Sequence, residues 1–257
     1  MNQLNRRTED PTSVVVTAIF LGIVVLFAAW GSSRAVRYFA LEGAPEWMSV
    51  FVNYGVMLAV SLILVLASSM GDASSFGFTR PKVGGGYRAG ITWGVILGVI
   101  ASIVSLASHA GGMSPLKGLS FVQIILLVWV LASVAEEVLV RGYVQSYLEP
   151  LIDRGFTAFR MRISLPVILS ALFFAAMHII LLATGTSFLL TYIIVVFAFF
   201  LGLIAAYQRE RTGSILPAIA AHVSFNIGGA VGGIIYIIVQ IVMFGKTAAE
   251  ATGALGG

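Results

Sequence analysis

From Ile163 to Gln208 the chain reads ISLPVILSALFFAAMHIILLATGTSFLLTYIIVVFAFFLGLIAAYQ, without one Asp, Glu, Lys or Arg. A transmembrane helix needs about 20 predominantly apolar residues. This stretch therefore holds two spans, and Thr184-Gly185-Thr186-Ser187 is the natural break between them. Outside it the pattern repeats. Asp10 and Arg34 bracket a first uncharged stretch, Glu46 and Asp72 a second, Arg88 and Lys117 a third. A fourth apolar run begins near Ser120 and carries Glu136, Glu137 and Arg141. The last uncharged stretch lies between Arg211 and Lys246. It is one long helix, or two short ones parted at Gly228-Gly229-Ala230-Val231-Gly232-Gly233. The expected fold is all-α: a polytopic transmembrane helix bundle of seven or eight spans.

Composition agrees. Of 257 residues, 59% are hydrophobic and 10% charged, and mean hydropathy is +1.00. A soluble domain is nearer 45–50% apolar and about 25% charged. A transmembrane barrel is excluded because the apolar residues run on instead of alternating. There is no cysteine, which removes disulfides, thiolate metal sites and a cysteine nucleophile. The first span is too long for a cleaved signal peptide and has no convincing cleavage site. Residues 1–257 read as one membrane domain, and the loop from Gly71 to Arg88 reads as a surface turn.

Lys and Arg set orientation. Arg6 and Arg7, then Arg80, Lys82 and Arg88, then Arg154, Arg160 and Arg162, then Arg209 and Arg211 fall on one side. The other side holds Arg34, Arg37, Lys117 and, with seven spans, Lys246. The bias places the N-terminus in the cytoplasm. Two glycine patterns read as packing. Gly90, Gly94 and Gly98 allow close helix approach, and Gly228/Gly232 with Gly229/Gly233 do the same or form a kink.

A charge at bilayer depth costs on the order of 2.5–3.5 kcal/mol on insertion scales, so intramembrane polar groups call for a reason. Glu137 and Arg141 are four apart and stack on one helix face in the favourable order. Glu136 is rotated about 100° from Glu137 and need not share that partner. His222 and Asn226 are also four apart. Phe174 lies one turn before His178 and can pack beneath its imidazole. A buried Glu137–Arg141 pair and hydrogen-bonded core histidines account for part of this set. A further Glu, two His and an Asn in one bundle also supply bases and oxyanion donors.

In order, Glu136-Glu137-Val138-Leu139-Val140-Arg141, Phe174-Ala175-Ala176-Met177-His178 and His222-Val223-Ser224-Phe225-Asn226 resemble the EExxxR, FxxxH and HxxxN signatures of the CPBP family. That family includes CaaX prenyl endopeptidases of the Ras-converting type and bacteriocin-processing membrane proteases. The resemblance runs over residues 120–229. It implies an intramembrane endopeptidase acting on a lipidated or membrane-associated substrate, in one branch by removing a C-terminal tripeptide. It further implies that Glu136 and His178 polarise water, that His222 and Asn226 hold the oxyanion, and that Glu137, Arg141 and Phe174 support them. No cofactor is favoured; Glu136, His178 and His222 are the ligand set if zinc is used. HExxH is absent, and no span carries an Asp or a GxSG-like serine elbow. A non-proteolytic scaffold or immunity factor of the same family, and a small transporter, are the competing classes. No nucleic-acid partner is expected.

Overall fold

The computed structural model describes residues 10–39, 45–113, 116, 118–158, 161–247 and 250. Arg6, Arg7, Lys117 and Arg160 of the charge bias lie outside these. Among the described residues seven helices are long and apolar enough to cross a membrane. They are α1 (Pro11–Phe39), α2 (Glu46–Ser69), α3 (Gly86–Ala107), α4 (Phe121–Tyr147), α5 (Leu165–Thr184), α6 (Phe188–Thr212) and α7 (Leu216–Phe244). The protein is a multi-pass integral membrane protein. A short antiparallel hairpin, β1 (Gly155–Ala158) and β2 (Met161–Ser164), joins α4 to α5.

Local chemistry sets the helix ends. Ser120 and Gln123 form a reciprocal capping box that starts α4, the arrangement that satisfies two orphan N–H groups at once. The Ser164 hydroxyl accepts the Val167 N–H and donates to the Glu210 carboxylate, so the start of α5 is pinned beside the end of α6. Gly185 takes a left-handed conformation at the end of α5, and Ser187 caps α6. The break between the two central spans falls at 184–187.

The hub is α4, which packs on α1, α2, α5, α6 and α7. From 135 to 146 every one of its residues is buried. It is not a uniform helix. Ile124–Ala132 and Val138–Val144 are π-helical, and the five-residue piece Ser133–Glu137 between them is α-helical. Such wide turns often occur at functional sites.

The most extensive helix pair is α3 against α7, and glycine makes it possible. A Cβ at Gly94 would overlap the Ala221 carbonyl, and one at Gly98 the Phe225 carbonyl. On α7 only half of the expected pattern packs. Gly228 and Gly232 abut Val95 and Val99, whereas nothing lies within 4 Å of a Cβ at Gly229. The glycines neither break nor kink the helix into two spans, and α7 runs unbroken for 29 residues.

The Gly71–Arg88 loop is more than a surface turn. Its Phe76 is fully buried and stacks on Tyr143 of α4, with centroids 6.3 Å apart. The Gly77 carbonyl accepts the Ile215 N–H at 3.0 Å, and the Lys82 N–H donates to the Thr212 carbonyl at 2.9 Å. The Ser214 hydroxyl donates to the Thr79 carbonyl at 2.5 Å. Segment 71–85 is thus a strap across the α6–α7 corner. The Gly, Ser and Pro around it conceal an aromatic anchor, which is why composition alone suggests an exposed turn.

Candidate active site

Three helices converge below the strap. α4 supplies Ser133, Glu136, Glu137 and Arg141, α5 supplies Phe174 and His178, and α7 supplies His222 and Asn226. Glu137 is the junction. Its Oε1 accepts from Arg141 Nη1 at 3.0 Å and from His222 Nδ1 at 3.0 Å. Arg141 also donates through Nη2 to the Gly202 carbonyl of α6 at 3.0 Å. One turn further on, Gln145 donates to the Ala206 carbonyl at 2.9 Å. Two side chains therefore staple α4 to α6.

Phe174 fills the space beneath these groups. Its ring lies edge-on to His178 (5.0 Å) and to His222 (5.4 Å), and the Arg141 guanidinium sits 4.4 Å from its centroid. The phenylalanine thus packs against both imidazoles and one cation, more than the single contact with His178 that its spacing suggests. Cation–π contacts strengthen when desolvated, and both Arg141 and Phe174 are essentially sealed.

Exposure separates the two glutamates. Glu137 is 0% exposed, whereas Glu136 retains 6% and His222 7%. Glu137 is walled in by its two partners. Glu136 keeps a small exposed surface.

The ring nitrogens have distinct jobs. Because a carbonyl only accepts, His178 Nδ1 donates to the Phe174 carbonyl at 2.8 Å, leaving Nε2 free. Likewise His222 Nδ1 is committed to Glu137, and its Nε2 faces Glu136 Oε2 at 3.9 Å. At that separation no water fits between the two atoms, but one lying to the side can reach both at about 2.8 Å. His222 is therefore the imidazole directly opposite Glu136. No ion pair within 4.0 Å joins Glu136 to His178 among the described residues.

Two site neighbours carry no signal in the motifs. Ser133, fully buried, accepts from Asn226 Nδ2 at 3.1 Å. Tyr54, on the α2 stripe with Val50, Met57, Ser61 and Val65, is half-buried where α2 packs on α4. A lone buried serine or tyrosine in an apolar run looks like ordinary packing. His109, the third histidine, is exposed in the loop after α3 and takes no part. Among the described residues no three His, Cys, Asp or Glu side chains converge as a metal cage.

A glutamate, two histidines and an asparagine are thus gathered in the interior of a polytopic bundle. Residues 118–228 match the family model described as "Type II CAAX prenyl endopeptidase Rce1-like". Over that segment, somewhat under half of the chain, the protein is similar to Rce1-like membrane peptidases. No curated protein and no solved structure matches the chain.

Proposed function

We propose that the protein is an intramembrane endopeptidase that hydrolyses a peptide bond near the cytoplasmic leaflet, removing the C-terminal tripeptide from prenylated CaaX-type proteins or peptides. The observation that carries this reading is the 3.9 Å gap between Glu136 Oε2 and His222 Nε2, nearly dry inside the bundle. A water seated beside that pair, within hydrogen-bond reach of both atoms, meets a carboxylate base. Glu136, aided by the free Nε2 of His178, takes its proton as the oxygen attacks the scissile carbonyl. The resulting oxyanion is met by His222 and Asn226. Glu137 fixes the His222 ring through Nδ1, which aims Nε2 at the reacting centre. Preorganised donors in a water-poor site are the largest single source of such stabilisation. The intermediate collapses as Glu136 returns the proton to the leaving amine, so charge and protons balance.

The reading routes no step through a metal and places the N-terminus and residues 149–162 in the cytoplasm. The Lys/Arg bias supports the orientation. Single cysteines introduced into this cysteine-free chain test it: an impermeant reagent outside intact cells should leave the 149–162 loop unlabelled.

The decisive assay is purified protein in detergent with a farnesylated CaaX peptide and, separately, an unlipidated leader peptide, with and without chelator. Tripeptide release from the farnesylated peptide alone, insensitive to chelation, is expected. Glu136→Gln should abolish it while melting like the wild type. A Glu136→Gln variant that retains the protein's function sinks the catalytic reading in favour of a scaffold. Activity lost on chelation and regained with zinc overturns the metal-free mechanism.

A further inference from the structure

The two residues proposed to meet the oxyanion are each tied to α4. His222 Nδ1 donates to Glu137 at 3.0 Å, and Asn226 Nδ2 donates to Ser133 Oγ at 3.1 Å. The helices meet with opposite sequence direction along these contacts. Stepping four residues forward on α4, from Ser133 to Glu137, corresponds to stepping four back on α7, from Asn226 to His222. The contacts are two rungs of one ladder.

A ladder with equal spacing on both sides requires equal rise per residue. α7 is α-helical through 222–226. α4 is π-helical on either side of Ser133–Glu137 but α-helical within it. An α-helix aligns positions four apart on one face, whereas the i→i+5 pattern of a π-turn shifts that alignment by a residue. Only the five-residue α piece presents Ser133 and Glu137 at the pitch of His222 and Asn226.

The geometry points to Ser133 as a positioning residue for the oxyanion donor Asn226, with Ser133–Glu137 acting as a ruler that sets the register of α7 against the catalytic glutamates. Ser133 is fully buried, and its role is exerted through Asn226. It holds one hydrogen of the Asn226 amide, and the amide's second N–H is left for the developing charge. Without the serine oxygen the amide is free to rotate away from the productive angle. Because the donor acts mainly in the transition state, the loss should appear in kcat and leave KM unchanged. The inference rests on the peptidase reading for its kinetic consequence but not for its structural one.

The test is a double-mutant cycle of Ser133→Ala and Asn226→Ala in the full chain, read in two ways. With the farnesylated CaaX peptide, Ser133→Ala should lower kcat about tenfold, the worth of one hydrogen bond, with KM unchanged. In the Asn226→Ala background the same change should cost nothing further. Independently of activity, the losses in melting temperature of the two single variants should not add, as for residues in direct contact. If the wild type cleaves no peptide, the peptidase reading fails while the melting cycle still judges the ruler. An equal kinetic loss in both backgrounds, an unchanged kcat in Ser133→Ala, or additive melting losses would overturn it.

Discussion

α4 and α7 carry most of the site, yet they are buried in opposite ways. The second half of α4 is enclosed on every side. α7 buries one stripe, Pro217, Ala218, Ala221, His222, Ser224, Gly228 and Gly232, and turns much of the remainder outward. A helix apolar all round belongs in a core, and a one-sided helix covers one. The contrast separates two demands. The charged groups of α4 need the protein to neutralise them, whereas the donors of α7 need access to a substrate. Breaking the sealed charge pair of α4 should therefore cost folding together with activity, whereas loss of an α7 donor should fall mainly on turnover.

The largest effect is expected at Glu137. Glu137→Ala strands both Arg141 and His222, and breaking a buried pair costs roughly 3–5 kcal/mol. Yield, melting temperature and cleavage should fall together. A Glu137→Ala protein melting like the wild type would erase the distinction between the helices. Next comes Asn226, on the accessible side. Asn226→Ala should lower kcat by roughly 10²–10³ with KM nearly unchanged and a melting loss no larger than that of Ser133→Ala. Asn226→Asp, which puts a negative charge where the oxyanion forms, should be at least as inactive. Measured unfolding of Asn226→Ala would show α7 to be structural after all.

Glycine sharpens the comparison within α7. Gly228→Ala drives a methyl into the Val95 carbonyl, and overpacking of this kind costs typically 1–3 kcal/mol. Gly229→Ala meets nothing and should melt at or slightly above the wild-type temperature. Equal melting of the two variants would contradict the α3–α7 interface. The smallest effect concerns Asp72, whose carboxyl is held below its usual range by hydrogen bonds from Ser74. A depressed folded-state value means that its contribution is complete above the unfolded carboxylate range, near pH 4, and is lost as pH falls through the folded value. Asp72→Ala should lower the melting temperature less than Gly228→Ala does, and only on the alkaline side of that window.

Much of this was legible before any coordinates. Charge spacing placed the spans, and the four-residue interval exposed the Glu137–Arg141 pair, because both are local properties of a helix. The motif residues do gather at one site. What stayed hidden depends on partners distant in sequence. Nothing in residues 219–226 says that His222 leans on Glu137 or that Asn226 needs Ser133, 93 positions away. The π-turns of α4 are equally silent, since an apolar run reads the same at either pitch. Phe76 was masked by its company, a buried anchor among Gly, Ser and Pro.

The strap has a practical consequence for anyone seeking a smaller enzyme. The 118–228 segment contains every residue proposed to act on the substrate, and it invites excision as a minimal unit. Yet the Ile215 N–H, at the threshold of α7, is bonded to the Gly77 carbonyl, and Tyr143 loses its stacking partner if Phe76 is removed. The α3 glycines that seat His222 and Asn226 lie upstream as well. The N-terminal helices are thus the jig in which the peptidase segment is assembled, and truncation should yield a chain with all its motifs and no active site.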